Sequence, residues 1–454
     1  MMELAISFSE HLPKYVQVYE NIKQAILLKK LLAHEQLPSK RTLATTLNVS
    51  VHTIKEAYEQ LLAEGYIYSK ERSGYYIAPF DLEWLQQSQS KDVAFLSTSE
   101  DTVKFDFNNG HVDKTAFPLK TYQKLLKKHF TVDVLSTSPW QGEFALRQEI
   151  AHYVNRSRGV MCEPSQVLVY SGTQSQLQAL CHFFGPEIEV GLEEPGFKRV
   201  RVTLQQCGLA IHPIPVDNLG ITVPNKGIHM LYTTPAHQFP LGMFMSMERR
   251  VALLQWATLN DAFIIEDDYD SEFRYKGLPI PSLANMDQLQ RVIYFGTFSK
   301  TLLPSLRMSY MILPKSLVEP FIRFYQEQKS IVSKLDQLVL ADFLSQRLFD
   351  KHLAKMRTIY RKKQQTLLAA IRSYFSDEFE IIGENAGLHI IVKLPKRLSE
   401  QDAIHLAHAV GINVYPCSTS FQLPSEHGMI IIGYGGLALE EIDEGIALLA
   451  SVWQ

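Results

Sequence analysis

Between residues 166 and 296 short apolar runs of strand length, QVLVYS, HMLYTT, AFIIED and RVIYFG, alternate with stretches of helical period. Such alternation leaves few folding options. Strands buried on both faces and joined by crossover helices give an α/β domain on a mostly parallel sheet. From roughly Lys351 the pattern changes to helices with LHIIVKL, INVYP and MIIIGYG, which predicts a smaller α+β lobe over about 350–454. A chain of 454 residues exceeds one ordinary core, so two or three domains are expected. With 46% hydrophobic and 20% charged residues it reads as folded rather than disordered. No apolar stretch approaches the ~20 residues of a membrane span, so no membrane partner is expected. The stretch MMELAISFSEHLPKY does not read as a signal peptide. Cys162, Cys181, Cys207 and Cys417 are scattered without Cys-x-x-Cys spacing, so neither a metal site nor a disulfide framework is expected; a reducing cytoplasm fits.

Residues 1–80 form a separate zone, followed by a Gln/Ser/Asp/Lys-rich stretch, 81–104, that reads as a linker with a short helical piece around Trp84 and Leu85. In the first zone Thr42–Leu47 predicts a short helix, Asn48-Val49-Ser50 a turn, and Ser50 a cap for the next helix. There Ile54, Ala57, Tyr58, Leu61 and Leu62 recur with helical spacing and form the expected buried stripe, with Gly65 closing the helix. The opposite face and first turn present Val51, His52, Thr53, Lys55 and Glu56, where a recognition helix meets base edges. Tyr66–Ser69 and Tyr75–Ala78 read as a hairpin with a basic tip, Lys70 to Gly74. Nine Lys/Arg stand against eight Glu in this zone, and the whole chain carries −3, so charge alone does not separate a DNA reader from a packing or dimerising module. Lys40, Arg41, His52, Thr53, Lys55, Arg72 and Gly74 are the expected contacts to double-stranded DNA, the helix on bases, Arg41 and the wing on phosphates.

The chemistry-bearing segment of the second zone is GTFSKTLLPSLR, residues 296–307. Lys300 is flanked by the hydroxyls of Thr297 and Ser299 and by Arg307, groups suited to a phosphate dianion beside a Schiff-base lysine. About thirty residues earlier, AFIIEDDYDSEFRY places Asp267 and Tyr269 two apart, on one side if the strand continues. A carboxylate there suits a pyridine nitrogen and a phenol the ring's 3-oxygen; Asp268 is the alternative for the first role. SGTQSQLQAL sets Ser171, Gly172, Thr173 and Gln174 at a helix N-terminus, an anion site. EEPGFKRVR offers Phe197 for stacking on a ring, and TTPAHQFPLG offers His237 and Gln238 as polar partners.

The two zones carry two resemblances. LPSKRTLA, LNVS, EGY and SGYYI resemble the GntR-type winged helix, except that Val51 stands where such modules often carry Arg, leaving His52 or Lys55 to compensate. The second zone, 105–454, resembles the fold type I aminotransferases that use pyridoxal 5'-phosphate (PLP). The resemblance implies Lys300 as the Schiff-base lysine, Asp267 as the ring-nitrogen partner, Tyr269 as the 3-oxygen partner, and Gly172, Thr173, Ser299 and Arg307 as the phosphate cup. Joined, they are similar to the MocR group of bacterial regulators, which implies a head-to-tail homodimer whose PLP domain senses PLP or an amino compound. The chain departs from the enzymes at MIIIGYGG, where Ile431 takes the place of the Arg that clamps a substrate carboxylate, and at Phe239, where the enzymes carry Asn. Arg199, Arg201 and His389 are the substitute anchors expected for an effector. Aldehyde chemistry retained without substrate grip suits a receptor better than a catalyst, with an active aminotransferase as the alternative. Members of the group resemble regulators of PLP synthesis, of GABA or taurine use and of D-alanyl-D-alanine ligase; the missing Arg favours PLP or a D-alanine peptide over GABA.

Overall fold

The computed structural model describes residues 8–9, 11–79, 103–225, 227–275, 277, 280–422 and 428–454. It separates into two compact units, 1–99 and 100–454. The linker expectation at 81–104, including the helical piece near Trp84 and Leu85, lies almost wholly outside the described residues.

In the first unit, helices α1 (Lys14–Leu27), α2 (Lys40–Thr46) and α3 (Val51–Ala63) precede an antiparallel hairpin, β1 (Ile67–Lys70) and β2 (Gly74–Ile77). Ser50 caps α3 by accepting from the Thr53 N–H at 3.1 Å. The helix ends in a Schellman pair: Tyr66 N–H donates to the Leu61 carbonyl and Gly65 N–H to that of Leu62, with Gly65 at φ +78°. Val18, Ile22, Leu43, Ile54, Ala57, Tyr58, Leu61, Ile67 and Ile77 form one buried cluster. Leu62, expected on the buried stripe, is instead 39% exposed. It lies about 100° around the axis from Leu61, beyond the arc that the neighbouring helices cover.

The second unit is built on an eight-stranded sheet ordered β4-β11-β10-β9-β8-β5-β6-β7. Its strands are β3 (Phe105–Asp106, outside this sheet), β4 (Val167–Tyr170), β5 (Glu189–Glu194), β6 (Ala210–Asp217), β7 (Gly220–Ile221), β8 (Met230–Thr233), β9 (Phe263–Asp268), β10 (Val292–Thr297) and β11 (Ser309–Ile312). All four runs singled out in the sequence are strands here. From β10 through β9, β8 and β5 to β6 the sheet is parallel; β11 is antiparallel to both its neighbours. Helices α4 (Thr173–Phe184) and α5 (Lys198–Gln206) follow β4 and β5. The long α6 (Leu348–Tyr374) then leads to the small lobe, an antiparallel sheet β12-β13-β16-β15 packed on α6 and on α7 (Leu439–Trp453). In it, β12 is Glu380–Ile382, β13 His389–Lys393, β14 Ile412–Asn413, β15 Tyr415–Pro416 and β16 Met429–Gly433. β3 pairs with β14, and Phe105 and Phe107 are buried in the same cluster as Ile390, Ile432 and Trp453. The chain thus contributes to the small lobe from residues 105–107 as well as from its end.

Candidate functional site

The carboxyl ends of the parallel strands converge on one cavity of about 190 Å³, the place where open α/β sheets bind ligands. Lys300 follows β10 directly, and its Nζ is buried, makes no hydrogen bond and stands 4.6 Å from the centroid of the Tyr269 ring. Burial drives the pKa of this amine down, against the pull of Asp270 and Asp267. Asp267, one residue before the end of β9, lines the same cavity. One of its oxygens accepts from the Tyr232 hydroxyl, and the other is buried without a partner. Burial pushes its carboxyl up to about 7. Asp268, the alternative, is excluded. It turns to the opposite face, where Arg158 Nε donates to it at 2.6 Å and Tyr294 adds its hydroxyl.

At the other end of the cavity, Gly172 opens α4 with no side-chain cap. Its φ is +101°, and a Cβ there would lie 2.6 Å from Arg307 Nη2, so only glycine lets the guanidinium lie across the helix start. Thr173, Gln174, Thr297, Ser299 and Arg307 line the same space, although the Gln174 amide is turned toward Thr203 at 3.3 Å. An uncapped helix N-terminus, hydroxyls and a guanidinium make an anion cradle. An orphan amine, an orphan carboxylate oxygen and this cradle, all on one cavity, fit pyridoxal phosphate: aldehyde carbon, ring nitrogen and phosphate each find a counterpart. Phe197 and the Tyr269 ring complete the wall. Phe197 lies stacked on Phe239, with ring centroids 3.9 Å apart.

In the first unit the residues expected to meet DNA are mostly solvent-facing. His52, Lys55, Arg41, Arg72 and Gly74 are exposed; Lys40 is half-buried, with its ammonium 4.9 Å from the Tyr75 ring centroid. Thr53 is less available than expected, since its hydroxyl bonds Ser50 Oγ at 2.8 Å within the helix cap. His52 and Lys55 sit within ion-pair range of Glu56 and Glu59, exposed contacts of small energetic weight. Lys70, expected in the basic tip but not among the DNA contacts, has its ammonium 4.7 Å from the Tyr76 ring centroid.

Residues 14–77 match the family of bacterial regulatory proteins of gntR type, and residues 100–444 match aminotransferase class I and II. YhdI of Bacillus subtilis, an uncharacterised HTH-type transcriptional regulator, is 42% identical over 97% of this chain and 96% of its own. MocR of Rhizobium meliloti, a probable rhizopine catabolism regulatory protein, is 34% identical over 99% of this chain and 96% of its own. The chain belongs to the MocR-type transcription regulators. An archaeal alanine:glyoxylate aminotransferase superposes with a TM-score of 0.71 at 25% identity, covering 77% of this chain and 90% of that one.

The residues expected to hold an effector in this MocR-type chain fall in different places. Ile431, expected in the place of a carboxylate-clamping Arg, is buried in an apolar wall with Phe239, Tyr269, Ile391, Cys417 and Met429. Of the three substitute anchors, only Arg199 lies on the cavity. Arg201 is turned away and donates to the Thr419 carbonyl at 3.0 Å. His389 is buried, bonds the Pro240 carbonyl at 3.0 Å, and burial with help from His237 holds its pKa down to about 3, so it offers no cation at neutral pH. His237, expected beside the cofactor, lies behind Tyr269: its Nδ1 is 3.0 Å from both the Tyr269 hydroxyl and Asp270. Gln238 instead ties the loop to Glu193 and to the Pro195 carbonyl. Tyr232, which fixes Asp267, carries no signal of its own in the sequence, where HMLYTT shows only a buried strand.

Proposed function

We propose that this MocR-type regulator binds promoter DNA through α3 and the wing, holds PLP in the cavity at Lys300, and takes PLP itself or an amino compound as its signal. The observation that carries the reading is the buried, unpartnered Lys300 Nζ between Asp267 and the Tyr269 ring. PLP, when bound, supplies an aldehyde for amines and a protonated ring that withdraws electrons. The chain's residues supply the rest. Lys300, its pKa lowered by burial, is the nucleophile for the aldehyde carbon. Asp267, held by Tyr232, fixes a proton on the ring nitrogen. Gly172, Thr173, Thr297, Ser299 and Arg307 hold the phosphate, with the Gln174 backbone beside them. His237 and Asp270 orient the Tyr269 hydroxyl, and Phe197 covers a ring face.

Arg199 gives an amino effector one guanidinium for an acidic group, while Ile431 and Phe239 present apolar surface where an aminotransferase grips its substrate. This supports a receptor over a catalyst. The chain acts in the cytoplasm as a head-to-tail homodimer, and no helix among the described residues is long and apolar enough to cross a membrane.

The test follows the visible absorbance of the PLP-loaded protein during titration with GABA, taurine, D-alanine, D-alanyl-D-alanine and common L-amino acids. A lasting shift with one compound identifies an amino effector. No shift with any of them assigns the signal to PLP. Conversion of the cofactor to its amine form restores the aminotransferase reading, which Arg199 as a carboxylate anchor favours.

A further inference from the structure

Strand alternation sends Asp268 away from the cofactor cavity, and a second cavity of about 220 Å³ opens on that side. Four arginines line it: Arg158, Arg274, Arg357 and Arg361, together with Ser271 and Glu272. Arg158 is balanced by Asp268, and its side chain is only 5% exposed, yet its Nη2 is buried without a partner. Ser271 Oγ is likewise buried and unpartnered. Arg357 and Arg361, four apart on α6, have no carboxylate within ion-pair distance among the described residues; Arg357 Nε donates to the Glu272 carbonyl at 2.7 Å. A buried donor left unmet is costly, and an acceptor shared by Ser271 and Arg158 would remove that cost twice. Glu272 is the one carboxylate among these lining residues. One of its oxygens accepts from Tyr153 at 2.7 Å, the other has no partner, and burial, with Asp268 adding, pushes the group up to about 7. Near neutrality this lessens the negative charge that Glu272 presents to the cavity.

We propose that this cavity is a second anion site, built for a small phosphate-type dianion and separate from the phosphate cradle at Gly172. Its volume takes a phosphate group with a short substituent, and planar guanidinium forks match phosphate oxygens. Ser271 and Glu272 follow Tyr269 by two and three residues, so an anion held there braces the segment that presents Tyr269 and Asp270 to the cofactor site.

The test is equilibrium dialysis of the full-length protein with labelled inorganic phosphate and, separately, labelled glycerol 3-phosphate. Each is run without PLP and with one equivalent of PLP. The expected result is one saturable site per chain that PLP leaves in place, weakened about tenfold by Arg361→Gln and lost in the R357Q/R361Q pair. The tighter of the two probes tells free phosphate from a phosphomonoester. Arg361 is exposed, so its variant keeps the fold, checked by an unchanged thermal midpoint. Three outcomes overturn the site: no saturable binding, binding unaffected by both arginine variants, or binding fully displaced by one equivalent of PLP, which would place the anion in the cofactor cradle.

Discussion

A single methyl group tests the phosphate cradle. Gly172→Ala puts a Cβ 2.6 Å from Arg307 Nη2 in a backbone region that disfavours side chains, so either the guanidinium or the start of α4 must move. We expect PLP retention, read by dialysis and absorbance, to fall at least about tenfold, which is roughly 1.4 kcal/mol of binding. Wild-type retention would remove Gly172 from the cradle. Lys300→Ala should abolish the yellow absorbance of lysine-linked cofactor, and an unchanged spectrum would refute that assignment. Asp267 makes a prediction about pH. Its carboxyl is raised in the folded chain to about 7, so its contribution to stability is intact below the ordinary carboxylate range and is lost as pH rises through about 7. In the cofactor-free protein Asp267→Asn should therefore raise the thermal midpoint at pH 8 and leave it nearly unchanged at pH 4. A variant that is less stable than the parent at both pH values would show that the carboxylate is not strained by burial.

Helix α3 rests on two devices, its Ser50 cap and its buried stripe. Ser50→Ala should cost about 1 kcal/mol in denaturant unfolding. Leu61→Ala should cost about 2–5 kcal/mol, but Leu62→Ala less than about 1, because Leu61 is fully buried and Leu62 is not. Equal losses at both positions would contradict the packing described. The same contrast marks what local sequence reveals. Helical period, the Ser50 cap, the Gly65 terminus and the strand runs are short-range signals, and they appear where the pattern puts them. Lys300, Asp267 and Gly172 were readable for a related reason, since each lies where a strand or turn feeds the sheet's carboxyl edge. Tyr232 was not. Its hydroxyl reaches Asp267 only because β8 lies beside β9 with Tyr232 opposite Ile265, a pairing set by the fold and not by neighbours in sequence. His237 and His389 failed as cavity residues for the same reason: polarity is visible in a sequence, but the side of Tyr269 on which a ring comes to rest is not.

At the scale of the molecule, DNA binding and cofactor binding should separate by mutation. The R41A/K55A pair should lose salt-sensitive binding to a duplex selected from a random library, measured by fluorescence anisotropy, while keeping its yellow colour. Retained specific binding would move the interface elsewhere. The small lobe takes up chain from both ends of the second unit. β3 is the first element described after residue 103, and it is sewn into that lobe rather than into the large sheet: Lys104 and Phe105 donate to the Gly411 carbonyl, Phe107 to that of Asn413, and Gly433 back to Phe107. Residues 103–107 are therefore tied to the small lobe and not to the large sheet that presents Lys300. A displacement of the small lobe against the large sheet would carry residues 103–107 along with it.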